Sequence, residues 1–232
     1  MEAPLSGLMI SAPSDKIACA TGLLKCAACV IIVLLLSACG ANKVLVKGDF
    51  PRPIMTPLPL NIGVWYTDDF RNHEFTEMAK TPQDSSWIVN TGNAQVAMWD
   101  VLLGGMFQSF VEMKAAPGTG AMNQAVDAVL IPEIDELQYA IPAQTHVKVY
   151  EIWMRYRFKL VDLNGKLIAE WMMTAYGKTP TAFLQSDISA VNQAAVMALR
   201  DAGANFVLSF SRTPELNDWL ENRVTKSTKV KP

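Results

Sequence analysis

The stretch VKVYEIWMRYRFKLVDLNGKLIAEWMMTAY, residues Val147–Tyr176, decides the fold. In its first half Tyr150, Ile152, Met154, Tyr156, Phe158 and Leu160 alternate with Glu151, Trp153, Arg155, Arg157 and Lys159. Successive strand side chains point to opposite faces. This segment is therefore a strand with one buried face and one largely wet face, as in an antiparallel sheet. Asp162-Leu163-Asn164-Gly165-Lys166 carries the Asn-Gly hairpin signal. Leu167–Tyr176 returns as the partner strand, with Leu167, Ala169, Trp171, Met173 and Ala175 on one face.

The flanking sequence supplies the other elements. Leu60–Tyr66 is short, apolar and β-prone, with Ile62 and Val64 on one face. Thr67–Ser86 is polar and reads as a loop with a little strand near Phe75. Across Ala94–Phe110, Val96, Trp99, Leu102, Leu103, Met106, Phe107 and Phe110 recur at three- and four-residue steps, which predicts a helix capped by Asn90 or Asn93. Gly104-Gly105 costs that helix about 1 kcal/mol per glycine and needs a packing reason. Phe110–Met113 adds a short strand, and Ala125–Leu137 adds another that Pro132 ends or bends. Ser186-Asp187 caps a second helix carrying Ile188, Val191, Ala195, Ala198, Leu199, Ala202 and Phe206, which Gly203 ends or interrupts. The expected fold class is α+β: a mixed, largely antiparallel sheet with two main helices packed on one face.

The N-terminus carries an address. Cys26–Ala38 is 13 residues without a charge, flanked by Lys16 and Lys25. A spanning helix needs roughly 20 apolar residues, so this run suits the apolar core of a signal peptide. Leu36-Ser37-Ala38-Cys39 resembles the lipobox of bacterial lipoproteins, with small residues ahead of a nucleophilic thiol. The resemblance implies cleavage before Cys39 and acylation of that cysteine, palmitate included. Gly40-Ala41, rather than Asp, after the cysteine implies the periplasmic face of the outer membrane. The expected segments are a signal peptide at 1–38, with Met9 as an alternative start, and the lipidated cysteine with a Pro-rich tether at 39–58. A single domain at 59–213 follows, then a tail at 214–232 with Trp219-Leu220 docking back. The element order and anchor resemble the TolB N-terminal domain, the lipoprotein activators of penicillin-binding proteins and the curli-secretion lipoprotein. No motif residue carries that likeness, so it transfers no site.

Half of the 232 residues are hydrophobic and the net charge is −2, which gives no field pointing to nucleic acid. All four cysteines, Cys19, Cys26, Cys29 and Cys39, lie in the first 39 residues, so neither disulfides nor a zinc site is expected in the domain. Ala116-Pro117-Gly118-Thr119-Gly120 lacks the ending of a phosphate loop. His73 sits among Asp68, Asp69, Arg71 and Glu74, and reads as a solvated loop or a metal or partner site. His146 precedes a strand. Glu133, Asp135 and Glu136 read as an exposed acidic edge.

Trp153, Arg155 and Arg157 are the candidate partner-binding residues, because Trp and Arg commonly anchor interfaces. The alternative is a sheet face covered by the second helix or a loop. No catalytic residue, metal or cofactor is expected. The reading is a non-enzymatic accessory component of envelope assembly or secretion, held to the membrane through Cys39, with an envelope protein as partner. The alternative is a carrier or chaperone for lipid, lipopolysaccharide or other apolar cargo, with Met154, Met172 and Met173 lining a pocket.

Overall fold

A computed structural model describes residues 41–78, 86–119, 125–140, 149–180 and 186–229. They belong to one compact unit, Ala41–Pro232. The expected signal peptide at 1–38, Cys39 and His146 lie outside the described residues.

Two sheets form. The larger has the order β5-β2-β6-β7-β8 and the smaller β1-β4-β3. The strands are β1 (Asn42–Leu45), β2 (Leu58–Val64), β3 (Glu74–Glu77), β4 (Trp87–Asn90), β5 (Phe107–Glu112), β6 (Ala128–Ala140), β7 (Val149–Val161) and β8 (Leu167–Pro180). The helices are α1 (Asp68–Arg71), α2 (Gly92–Met106), α3 (Asp187–Ser209) and α4 (Pro214–Lys229). Strand β2 runs parallel to both β5 and β6, while β6, β7 and β8 form an antiparallel meander. The fold is therefore α+β with mixed sheets, as the hydrophobic pattern predicts, but the single expected sheet is two.

The β7–β8 hairpin follows its alternation closely. Tyr150, Ile152, Met154, Tyr156, Phe158 and Leu160 are all buried. Gly165 sits at φ 81°, and the Asp162 carboxylate accepts the backbone N–H groups of Asn164 and Lys166, both at 2.9 Å. On the buried face Trp99 of α2 meets Tyr156, Phe158 and Phe206 with ring centroids 5.7, 5.2 and 5.0 Å away. Such edge-to-face pairs contribute roughly 0.5–1.5 kcal/mol each beyond the area they bury. Helix α3 begins at Ser186, whose side chain accepts from Ser189 N. It lies close on the sheet because its inner stripe is alanine: Ala190, Ala194, Ala198 and Ala202. A Cβ on Gly177 of β8 would stand 2.1 Å from the Ala194 carbonyl oxygen.

Several expectations change. Residues 42–53, read as tether, belong to the folded unit. Strand β1 pairs in parallel with β4, and Val44 and Val46 are buried. The prolines at 51, 53, 57 and 59 bar a ladder only where they stand, whereas Val44 and Val46 alternate with Lys43 and Lys47 as a half-buried strand should. The chain then straps over the helices. Lys47 exchanges two hydrogen bonds with the Asn192 side chain, at 2.8 and 3.1 Å. Gly48 lies so close to α3 that an added Cβ would meet Val196 Cγ2 at 2.5 Å.

Pro132 does not end β6. The β2 ladder covers β6 only as far as Leu130, so proline's missing N–H falls beyond that neighbour. Helix α2 is capped by neither Asn90, which ends β4, nor Asn93: it starts after Thr91 and stops at Met106, where Phe107 turns extended and opens β5. Gly203 lies inside α3 and does not interrupt it. Residues 214–229, expected as tail, form α4, with Leu216 buried and Trp219 and Leu220 packed against the core.

Candidate functional site

The meander's outer face carries the residues singled out in the sequence. Helices α2 and α3 pack on the opposite face, so neither covers Trp153, which is 49% exposed. Trp153 rests on its cross-strand partner Tyr176 with ring centroids 4.4 Å apart. The Tyr176 hydroxyl donates to Glu151 Oε1 at 2.6 Å, and that bond pushes its pKa up to about 12.

The flanking cations are paired. Arg155 reaches Asp135 at 2.7 Å and Glu136 at 2.9 Å. Arg157 reaches Asp135 at 2.8 Å and Glu170 at 3.1 Å, and Lys159 reaches Glu133 at 2.8 Å. Bonds from Arg157 first and Arg155 second hold the Asp135 carboxyl below its ordinary pKa. The acidic edge of β6 and the basic face of β7 are thus one charge-balanced surface around an exposed tryptophan. The β6–β7 register brings them together, with Glu133 opposite Arg157 and Glu136 opposite Arg155. A shallow depression of about 140 Å³ adjoins Trp153, between Gln138, Arg155 and Thr174.

His73 is not a solvated loop residue. Burial holds its pKa below 6.5, and its Nδ1 lies 2.7 Å from Thr91 Oγ1. Gln95 Nε2 donates to the same hydroxyl at 2.9 Å, and Tyr156 donates to Gln95 Oε1 at 3.0 Å. Nearby, Tyr66 donates to Asp100 at 2.9 Å, and burial raises the Asp100 pKa. Arg71 covers the Tyr66 ring at 5.2 Å and pairs with Glu112. Among the described residues no group of three or more His, Cys, Asp or Glu side chains is placed to hold a metal ion.

Sequence reasoning missed an apolar cleft of about 350 Å³. Met98 and Leu102 of α2, Val207 and Leu208 of α3, and Phe50 of the strap line it. Its parts come from three separate chain segments, so no local pattern announces it. Of the methionines expected around a pocket, Met154 is buried in the core, and Met172 and Met173 flank an open groove. Among the described residues no helix is long and apolar enough to cross a membrane.

Neither a family model nor a curated protein matches this chain. Distant solved structures do. One is a DUF330 family protein from Xanthomonas campestris, 13% identical over 72% of this chain and 93% of that one, with a TM-score of 0.46. A minor lipoprotein from Acinetobacter baumannii is 11% identical over 68% and 96% of the two chains, TM-score 0.39. An uncharacterized lipoprotein B from Nitrosomonas europaea is 14% identical over 72% and 94%, TM-score 0.35.

Proposed function

We propose that this chain is a lipoprotein, acylated on Cys39 and held at the periplasmic face of the outer membrane. In this reading it acts without catalysis as an accessory component of envelope assembly or secretion. The observation that carries the reading is Leu36-Ser37-Ala38-Cys39 at the end of a short, uncharged, lysine-flanked run. The Trp153 face is the surface offered to a protein partner. It is uncovered, its charges are neutralised in place, and a partly exposed indole stands at its centre. A paired surface of this kind selects a partner by shape and hydrogen bonding more than by net charge.

The apolar cleft favours a second reading, carriage of a lipid or other apolar cargo. The test of the first is metabolic labelling with a palmitate analogue, followed by crosslinking and affinity capture of the full chain from intact cells. Wild type should incorporate label and enrich one envelope complex. Cys39→Ala should lose both, and Trp153→Ala should keep the label and lose the complex. Unlabelled wild type overturns the anchor, and a complex undiminished by Trp153→Ala overturns the surface.

A further inference from the structure

The cleft between α2, α3 and the Phe50–Pro53 strap has two arginines on its lining, and neither has an acidic partner among the described residues. Arg52 Nη2 donates to the Gly104 carbonyl at 2.5 Å. Arg200 donates through Nε and Nη2 to the Asp49 carbonyl at 3.3 and 2.8 Å. Both side chains line the cleft, and both residues are exposed. Elsewhere on this fold Arg71, Arg155, Arg157, Lys159 and Arg223 each meet a carboxylate. The nearest acid on α3, Asp201, is turned to β8, where it accepts from Tyr176 N at 3.0 Å, and it also accepts from Asn205 Nδ2 one turn along α3 at 3.1 Å. The cleft therefore combines an apolar floor with two positive charges that, among the described residues, only neutral carbonyls engage.

We propose that the cleft binds one aliphatic chain bearing an anionic head, such as a long-chain fatty acid. The chain would lie along Met98, Leu102 and Val207 and the carboxylate against Arg52 and Arg200. The proposal rests on the cargo reading and adds the charge of the cargo to it. Three features support this occupant over a protein segment. The volume, about 350 Å³, falls at the low end of the roughly 300–1,000 Å³ typical of small-ligand sites. Guanidinium groups with spare donors match a carboxylate in two-pronged fashion. Leu208, 60% exposed beside the cleft, extends the apolar surface for the far end of a chain.

Two of the α3 residues on the lining are small, Gly203 and Ala204. A Cβ on Gly203 would make ordinary contact with Met98 Sδ, at 3.4 Å. Gly105 brings α2 so near the strap that an added Cβ would meet Pro53 Cδ at 2.6 Å, which fixes the wall carrying Arg52.

The test uses the full chain in phospholipid vesicles with two photoreactive probes of equal length, a diazirine fatty acid and the corresponding fatty alcohol. The acid should label cleft residues about tenfold more strongly than the alcohol, because a charge-assisted bond distinguishes them. Arg52→Gln with Arg200→Gln should erase that preference, and Arg200→Lys should keep part of it. Ala204→Phe should block labelling by both probes. Equal labelling of the cleft by acid and alcohol overturns the anionic preference and leaves the cargo reading standing. No labelling of the cleft by either probe overturns both.

Discussion

The hydroxyl of Tyr156 donates to Oε1 of Gln95 at 3.0 Å in a place from which solvent is excluded on both sides. Gln95 passes its own hydrogen to Thr91, whose hydroxyl lies 2.7 Å from His73 Nδ1 and donates to the His73 carbonyl at 3.5 Å. The chain of donors crosses the interface between β7 and α2. Removing a link strands a buried polar atom. Tyr156→Phe should therefore cost about 1–3 kcal/mol. Removing both partners with Gln95→Leu as well should recover part of that loss. Urea unfolding of the three proteins checks it, with midpoints moving and slopes unchanged.

The far end of the same chain titrates. Burial lowers the folded pKa of His73 below 6.5, so between the folded and unfolded values the unfolded chain binds the extra proton. The His73 contribution is complete above 6.5, falls as pH drops through 6.5 toward the folded value, and is level below it. Melting temperature against pH should show this slope, and His73→Gln should remove it. A slope unchanged in His73→Gln would assign the titration to another group.

The two adjacent glycines of α2 should behave oppositely. An added Cβ on Gly104 meets nothing within 4 Å, whereas one on Gly105 meets Pro53 and Arg52. Gly104→Ala should stabilise by up to about 1 kcal/mol through backbone entropy alone. Gly105→Ala should give that gain back by pushing the strap outward. At Gly177 the obstacle is the backbone of α3 rather than a side chain, so Gly177→Ala should cost about 1–3 kcal/mol or more. Thermal unfolding of the three variants ranks them.

The outer-face ion pairs predict a small, salt-sensitive effect. Asp135→Asn should lower stability slightly at neutral pH, and the difference should shrink as ionic strength rises, because these side chains meet solvent. The folded carboxylate titrates below its ordinary value, so the contribution is present above 3.8 and is lost as pH falls through the folded pKa. Wild type and Asp135→Asn should therefore converge in acid, which melts between pH 2 and 5 would show (a range set by the ordinary carboxylate pKa of about 3.9).

What could be read in advance was what repeats locally. The alternation from Tyr150 to Leu160, the Asn164-Gly165 turn and the Ser186 cap each state a period or a backbone need within a few residues. Pairings over long separations were not legible. Glu133 and Lys159 looked like two unrelated exposed charges until register placed them 2.8 Å apart. His73 looked solvated because its neighbours Asp68, Asp69 and Glu74 are acidic, while its hydrogen-bond partner, Thr91 at the head of α2, lies 18 residues away. The cleft was invisible for a different reason. The prolines around Phe50 suggested a free lead, and only Asn192, 145 residues beyond Lys47, and Arg200, 151 beyond Asp49, reveal that the lead is fastened.

That fastening changes how the protein would search for others. A free coil of twenty residues wanders about 25 Å on average, letting a domain sample a volume above its anchor. Here β1 starts at Asn42, so an acylated Cys39 would leave only Gly40 and Ala41 as slack, at most about 11 Å of chain. Such a domain meets others by lateral diffusion in the plane of the leaflet, and its encounters are confined to molecules that share that plane or reach down to it.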